Sequence, residues 1–408
     1  MADAAASRPV SARVRWGVRC AVLVAAVGLM LGVAPWRGAL AIVPAASPFV
    51  GAASALATRA VGALSLVAAP VLLFAVLWRR WFCRWACPVG LVSEALGRLR
   101  RGKGPRLARW PAVGQWVLLV TLGGAALGYP ILVWLDPLAM VAGVVGAWFR
   151  PVGLVTLVAC APLAIVLMVS VVAPGAWCGR LCPLGGMQDL VALRHRRLRM
   201  QPEAGGADTG WLVGRRALLG VGAGGAVALA TEAAGRGASP PVRPPGAARE
   251  ARFVGLCIRC GNCVRACPSE ILTPDLGMAG VAGLLAPRVV FRADFCRADC
   301  NACGQVCPSG AIAPLTLALK QQRVMGLAEV DVEACVLAGG QECGVCVSAC
   351  PYDAVEIVEP EAAFPAYPYP RVTAGRCVGC GACEFECPTA PPRAIRVVPD
   401  TGTLGDRV

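Results

Sequence analysis

The chain reads as an α-helical membrane domain of about four spans plus a short fifth crossing segment, followed by an α+β domain organised by cysteine. Three observations predict this. Of 408 residues, 57% are hydrophobic and 15% charged, with a mean hydropathy of +0.63, too apolar for an ordinary soluble fold. The net charge of +15 is unevenly split: residues 251–408 carry 13 basic and 16 acidic groups, which leaves 26 and 8 for residues 1–250. Sixteen of the 22 cysteines lie between Cys257 and Cys387. The expected boundaries are 1–200 for the membrane domain, 201–250 for a twin-arginine crossing segment and linker, and 251–408 for the cysteine domain.

The positive excess is a membrane-flank property and gives no reason to invoke nucleic acid. An apolar run from about Cys20 to Trp36 follows Arg8, Arg13, Arg15 and Arg19. It reads as the first span rather than a signal peptide, since no convincing small-residue cleavage site precedes Pro35. Leu40 to Ala57 is apolar but interrupted by Pro44 and Pro48, and is expected at the interface. Ala60–Trp78, Trp116–Leu135 and Val152–Ala173 follow as spans two to four, each near the roughly twenty residues a bilayer requires. Nine basic residues lie from Arg79 to Arg109 and seven from Arg180 to Arg216, whereas the opposite loops hold only Arg37, Arg59 and Arg150. That bias predicts an inner-membrane protein whose N-terminus and basic loops face the cytoplasm.

Each basic loop opens with the same device. Span two exits into Trp81-Phe-Cys83-Arg-Trp-Ala-Cys87-Pro88, and span four into Trp177-Cys178-Gly-Arg-Leu-Cys182-Pro183. In a helix, each Cys-x3-Cys-Pro pair places two sulfurs on one face. Together the pairs supply four thiols at one membrane face: a further iron–sulfur centre, a redox-active dithiol, or a structural repeat of small buried residues. Cys20 and Cys160 stand singly in apolar spans and read as core residues. Asp136 and Glu94 are candidate proton acceptors, though each is also an ordinary loop or helix-flank acid.

Spans with two such motifs, and the Leu135-Asp136-Pro137 step, resemble the NapH-type membrane ferredoxins, the membrane part of the NosR nitrous-oxide regulators and the MauN ferredoxins. The resemblance covers roughly residues 15–200. It implies a membrane protein that takes electrons from quinol toward a periplasmic reductase. The short cytoplasmic ferredoxin tail usual after span four is missing here.

Arg215-Arg216 and the apolar, glycine-rich run from Ala217 to about Ala234 resemble a twin-arginine export signal placed internally. The alternative is an ordinary fifth helix with a basic flank; either reading puts the cysteine domain outside. Gly235–Glu250, with Pro240-Pro241 and Pro244-Pro245, is expected to be a semi-rigid linker.

The cysteine domain then repeats one spacing four times, each closing on Cys-Pro. Cys257, Cys260, Cys263 and Cys267 form the first quartet, and Cys377, Cys380, Cys383 and Cys387 repeat it. The middle two loosen only the first gap: Cys296, Cys300, Cys303, Cys307, then Cys335, Cys343, Cys346, Cys350. This is the bacterial ferredoxin run, in which three thiolates grip one [4Fe–4S] cluster and the fourth reaches a neighbouring one. Zinc sites favour separated doublets, and cysteines this close make a poor disulfide framework. Sixteen ligands predict four clusters; whether first pairs with last or with its neighbour is left open. A single histidine, His195, argues against c-type haem, bis-histidine haem and a Rieske centre. Short apolar pieces at Ala354–Val358 and Ala394–Val398 read as strands.

Residues 215–395 resemble the NapG and MauM periplasmic ferredoxins in the order and spacing of these quartets. The combined expectation is a fused electron-transfer subunit working with the membrane quinone pool. Electrons from quinol pass through four periplasmic clusters to a partner reductase or cytochrome subunit. The rival is a relay or metalloenzyme maturation factor that does not itself oxidise quinol. No substrate-level catalytic apparatus is seen, so the chemistry belongs to the cofactors.

Overall fold

The computed structural model describes residues 12–33, 36–78, 80–99, 111–149, 153–199, 209–235, 240–278, 280–359, 367–389 and 392–399. Arg8, Arg79, Arg150, the basic stretch 100–109 and the end of the chain lie outside the described residues. The helical half is built twice. In the first copy α1 (Ala12–Leu31) precedes α2 (Ala39–Ala45) and α3 (Pro48–Thr58). A tighter 3₁₀ stretch, Ala63–Ala68, then runs into α4 (Ala69–Leu77), followed by α5 (Trp81–Trp85) and α6 (Pro88–Leu99). In the second, α7 (Val113–Ala126), α8 (Pro137–Trp148), α9 (Leu154–Val172), a wide turn at Trp177–Leu181 and α10 (Pro183–Arg199) follow in the same order.

Among the described residues, α1 and α9 are long and apolar enough to cross a membrane, with a third if α2 and α3, bent by 94°, count as one span. Two expectations change. Leu40–Ala57 does not lie on a surface: Phe49, Val50 and Ala53 are fully buried in the core. Trp116–Leu135 is not one helix, because α7 ends at Ala126 and Tyr129-Pro130 turns the chain. Pro137–Trp148, expected as outer loop, is then a buried helix. The cause in both places is a capping residue before proline. Ser47 Oγ accepts from the Val50 amide, and Asp136 Oδ1 accepts from Leu138 and Ala139 at 2.9 and 3.1 Å. Ser47 Oγ donates to Asp136 Oδ2 at 2.5 Å, so the starts of α3 and α8 meet at one buried carboxylate. Asp136 is thus committed to structure rather than open to a proton donor.

Helix α11 (Thr209–Gly235), which includes the expected crossing run, lies along α7 with backbones in contact. A Cβ on Gly123 would collide with the Val221 carbonyl, and one on Gly224 with that of Val120. Only glycine permits that approach, as in tightly crossed membrane helices.

The cysteine-rich half holds α12 (Glu250–Leu256), α13 (Asn262–Ala266) and three two-stranded antiparallel sheets. The strands are β1 (Leu272–Pro274), β2 (Pro287–Val289), β3 (Gly326–Val330), β4 (Val355–Val358), β5 (Tyr369–Val372) and β6 (Ile395–Pro399). They pair β1–β2, β3–β6 and β4–β5; β4 and β6 are the strands expected from the sequence. The described part of the linker, from residue 240, is folded in rather than a spacer. Arg243 is buried, pairs with Glu250 at 2.9 Å, donates to the Pro287 carbonyl at 2.8 Å and covers the Phe253 ring.

The two halves dock through the first quartet. Asn262 Nδ2 donates to the Leu40 carbonyl at 2.8 Å and Arg265 to that of Met30 at 2.6 Å. Arg259 lies over Trp134 and Arg265 over Phe149, while Ser54 donates to the Ser309 carbonyl. One apolar core runs from Cys87 and Cys182 at one end of the helical half to Ile258 and Cys260 at the other.

Candidate iron–sulfur sites

The sixteen ferredoxin cysteines gather as three plus one, four times, and the pairing is between neighbours. Cys257, Cys260 and Cys263 line a hollow closed by Cys307, with Phe253, Ile258 and Ile312 as apolar wall. Cys377, Cys380 and Cys383 line another closed by Cys350, beside Tyr352 and Val378. The other two sites show in the charges their thiols feel. Burial and then the neighbouring Cys296, Cys267 and Cys300 push Cys303 up to about 12. Burial and then Cys343, Cys335 and Cys387 push Cys346 up to about 11. Quartet one therefore exchanges its last cysteine with quartet two, and three with four.

Local geometry suits anionic sulfur. The Ile312 amide points at Cys307 Sγ (3.4 Å) and the Ala354 amide at Cys350 Sγ (3.3 Å). At Cys387 burial works against the thiolate, but the Thr389 hydroxyl and nearby amides outweigh it and hold the thiol below its ordinary value. The left-handed turns at Gly261 and Gly381 start the short helices that carry Cys263 and Cys383. Four thiols around an apolar hollow, with amides aimed at sulfur, fit an iron–sulfur cluster.

The hollows form a line. The first and second share α13, which carries Cys263 and leads into Cys267. The second meets the fourth where the Cys296 amide donates to the Cys380 carbonyl at 2.9 Å. Tyr352 stands at that junction, its hydroxyl pushed up to about 12 by burial and then by Cys380, Cys296 and Cys350. The fourth and third share a core containing Cys383, Cys346 and Cys387. The spatial order is one, two, four, three, with the first set against the helical half.

A second group of cysteines lies at the far end of the helices. The Cys-x3-Cys pairs do not sit within single helices: α5 ends at Trp85, and Cys87 caps α6 with the Gly90 amide 3.4 Å from its sulfur. Cys182 stands the same way before α10, helped by the Gly185 amide. The repeats then interlock. Gln188 of the second donates to Cys83 Sγ at 3.2 Å, and Ser93 of the first hydrogen-bonds Cys178. Arg80 clamps both, bonding Asp189 (2.9 Å) and the carbonyls of Cys178 and Gly179 (both 3.0 Å). The four cysteines form one group, Cys87 and Cys182 buried and Cys83 and Cys178 half-buried; burial, then Cys178, pushes Cys83 up to about 12.

Sequence reasoning missed Arg80, Ser93, Gln188 and Asp189. The signal was alignment of the repeats: Gly90, Ser93 and Glu94 follow Cys87 at the intervals at which Gly185, Gln188 and Asp189 follow Cys182. Glu94 is not a free acid: although partial burial opposes ionisation, Arg19 and Arg98 hold its carboxyl below the usual range.

Known proteins agree with this division. Residues 60–106 and 154–201 each match a family described as a 4Fe-4S binding domain, and each match contains one Cys-x3-Cys-Pro motif. Residues 256–311, which hold quartets one and two, and 341–390, which run from Cys343 through the fourth quartet, each match a family described as a 4Fe-4S dicluster domain. The methylamine utilization ferredoxin-type protein MauM of Methylophilus methylotrophus is 35% identical over 171 residues, covering 41% of this chain and 75% of the relative. The ferredoxin-type protein NapG of Escherichia coli (strain K12) is 37% identical over 169 residues, 39% of this chain and 70% of that protein. The ferredoxin-type protein NapH of Haemophilus influenzae is 31% identical over 158 residues, 37% of this chain and about half (53%) of its own length. No solved structure matches. Matching three quarters of the length of such a relative at 35% identity, the chain belongs to the MauM/NapG ferredoxin-type proteins and is an iron–sulfur electron-transfer protein.

Proposed function

We propose that this protein is a membrane-bound electron-transfer subunit that draws electrons from quinol and passes them through four [4Fe–4S] clusters to a partner on the outer face. The observation that carries this reading is the line of hollows leading away from the helical half. Its first member is set among α3, α8 and α13. The excess of basic residues at the opposite, Cys-x3-Cys-Pro end favours that end as cytoplasmic.

When bound, the clusters supply one-electron carriers. The chain's own residues fix their positions and surroundings. Phe253, Ile258 and Ile312 exclude water from the first hollow, amides aimed at sulfur favour the reduced, more negative state, and Tyr352 fills the second-to-fourth junction. Cys335, Cys343 and Cys346 are only partly buried, so the third hollow is the natural exit to a partner reductase or cytochrome subunit. Cys83, Cys87, Cys178 and Cys182 are assigned as ligands of a further iron–sulfur centre, supported by their two-fold arrangement and by the family match across each pair.

The test is anaerobic EPR on purified protein. A reduced quinol analogue should produce [4Fe–4S] signals that dithionite also produces. Signals with dithionite alone would remove quinol as donor and leave a lower-potential relay.

A further inference from the structure

We infer that the cleft between the two halves is where quinol binds and is oxidised; this rests on the reading that quinol is the donor. The cleft's helical wall is formed by Trp36 and Arg37 beyond α1, Phe149 at the end of α8 and Leu154 at the start of α9. Its floor is α13 and the step after it, Val264 to Pro268. That floor lies between Cys263, a wall of the first hollow, and Cys267, which closes the second and itself lines the cleft.

The lining suits one chemical class. Trp36 and Phe149 are more than half exposed and offer faces for a flat ring, while Arg37 and Arg265 offer donors to its oxygens. Arg265 is held over Phe149 at 4.5 Å, and Arg37 reaches the Ala266 carbonyl at 3.3 Å, so both guanidiniums are positioned at the floor. The cleft's edge carries two exposed apolar side chains, Leu154 of α9 and Leu276, and forms its mouth. An isoprenoid tail leaves by that apolar mouth. By contrast, the hollow beside Cys83 and Cys178 is lined by Arg15, Arg19, Arg80, Arg84 and Arg98 against Glu94 alone, which suits an anion rather than a neutral quinol.

In the step, both O–H bonds of the quinol break and its two C–O bonds become C=O. Two protons leave past Glu270, which lines the cleft and is exposed to water. Two electrons would pass, one at a time, to the clusters that Cys263 and Cys267 would help to hold.

The test uses the full chain in lipid nanodiscs with an azidoquinone, photolysed and mapped by peptide mass spectrometry. Label is expected on peptides spanning 36–40 and 264–278, displaced by unlabelled quinone. Trp36→Ala should lower labelling about tenfold, the loss of one aromatic contact and its burial. Dithionite-generated EPR signals should be unchanged in the variant, showing that the ferredoxin half is folded. Label on 80–98 and 174–182, or undiminished label in both Trp36→Ala and Arg37→Gln, overturns this site while quinol-driven cluster reduction keeps the donor reading alive. Absence of both label and quinol-driven reduction overturns the two together.

Discussion

Arg80 is the side chain whose removal should cost the helical half most. It reaches across the repeat, from the turn before Trp81 to Asp189 on α10 and the carbonyls of Cys178 and Gly179. The Asp189 side chain is 10% exposed and that of Arg80 25%, so the pair is largely withdrawn from water. Removing one partner of a buried pair costs about 3–5 kcal/mol; the residual exposure of Arg80 lowers this to about 2–3. Two lost carbonyl bonds add roughly 1 kcal/mol each. Arg80→Gln should therefore destabilise by about 4 kcal/mol and Asp189→Asn by about 2. Arg80→Leu/Asp189→Leu should cost at least about 1.5 kcal/mol less than the sum of its single changes, since no charge is left unpaired. Denaturant unfolding of the purified protein, followed by tryptophan fluorescence, measures the cycle. Additivity within about 0.5 kcal/mol would refute the clamp.

Three further outcomes follow from the same geometry. Cys307→Ser should abolish the EPR signal of the cluster over Cys257, Cys260 and Cys263, whereas Cys267→Ser should strike the one over Cys296, Cys300 and Cys303; the reverse pattern would undo the exchange. Iron removal by a chelator should unfold the ferredoxin half, whose cores are built around cysteines, with loss of circular dichroism; retained signal would show an independent core. In cluster-free protein Cys83 is raised from an ordinary 9.0 to about 12, so its contribution to stability is complete below pH 9 and is lost as pH rises toward 12. The melting temperature should fall over that window, and less steeply in Cys83→Ser; equal slopes would count against the burial argument.

The ferredoxin half was legible because its information is covalent spacing. Quartets, closing prolines and two of the strands follow from residue order alone. The exchange pattern did not, since the spacing permits either pairing and only the packing of α13 against Cys296 and Cys300 selects one. In the helical half, hydropathy located α1 and α9, which face outward with apolar side chains such as Leu157 and Ile165. It misplaced α2, α3 and α8 because a buried short helix and an interfacial segment have the same composition. What separates them is local: Ser47-Pro48 and Asp136-Pro137 start helices inside the core, a capping signal that a hydropathy window averages away. Gly123 and Gly224 likewise look like weak helix positions until α11 is seen against α7.

The exchanged cysteines set a schedule for biogenesis. The first hollow has three walls as soon as Cys263 has left the ribosome, yet its last ligand arrives only with Cys307; the second borrows backward from Cys267. Each member of a pair needs a cysteine from the other's quartet, so the natural unit of metal loading, of quality control and of gene duplication is two sites at a time. A chain interrupted just before Cys303 would present six of these thiols and no completed cage, the state most exposed to oxidation and to the wrong metal.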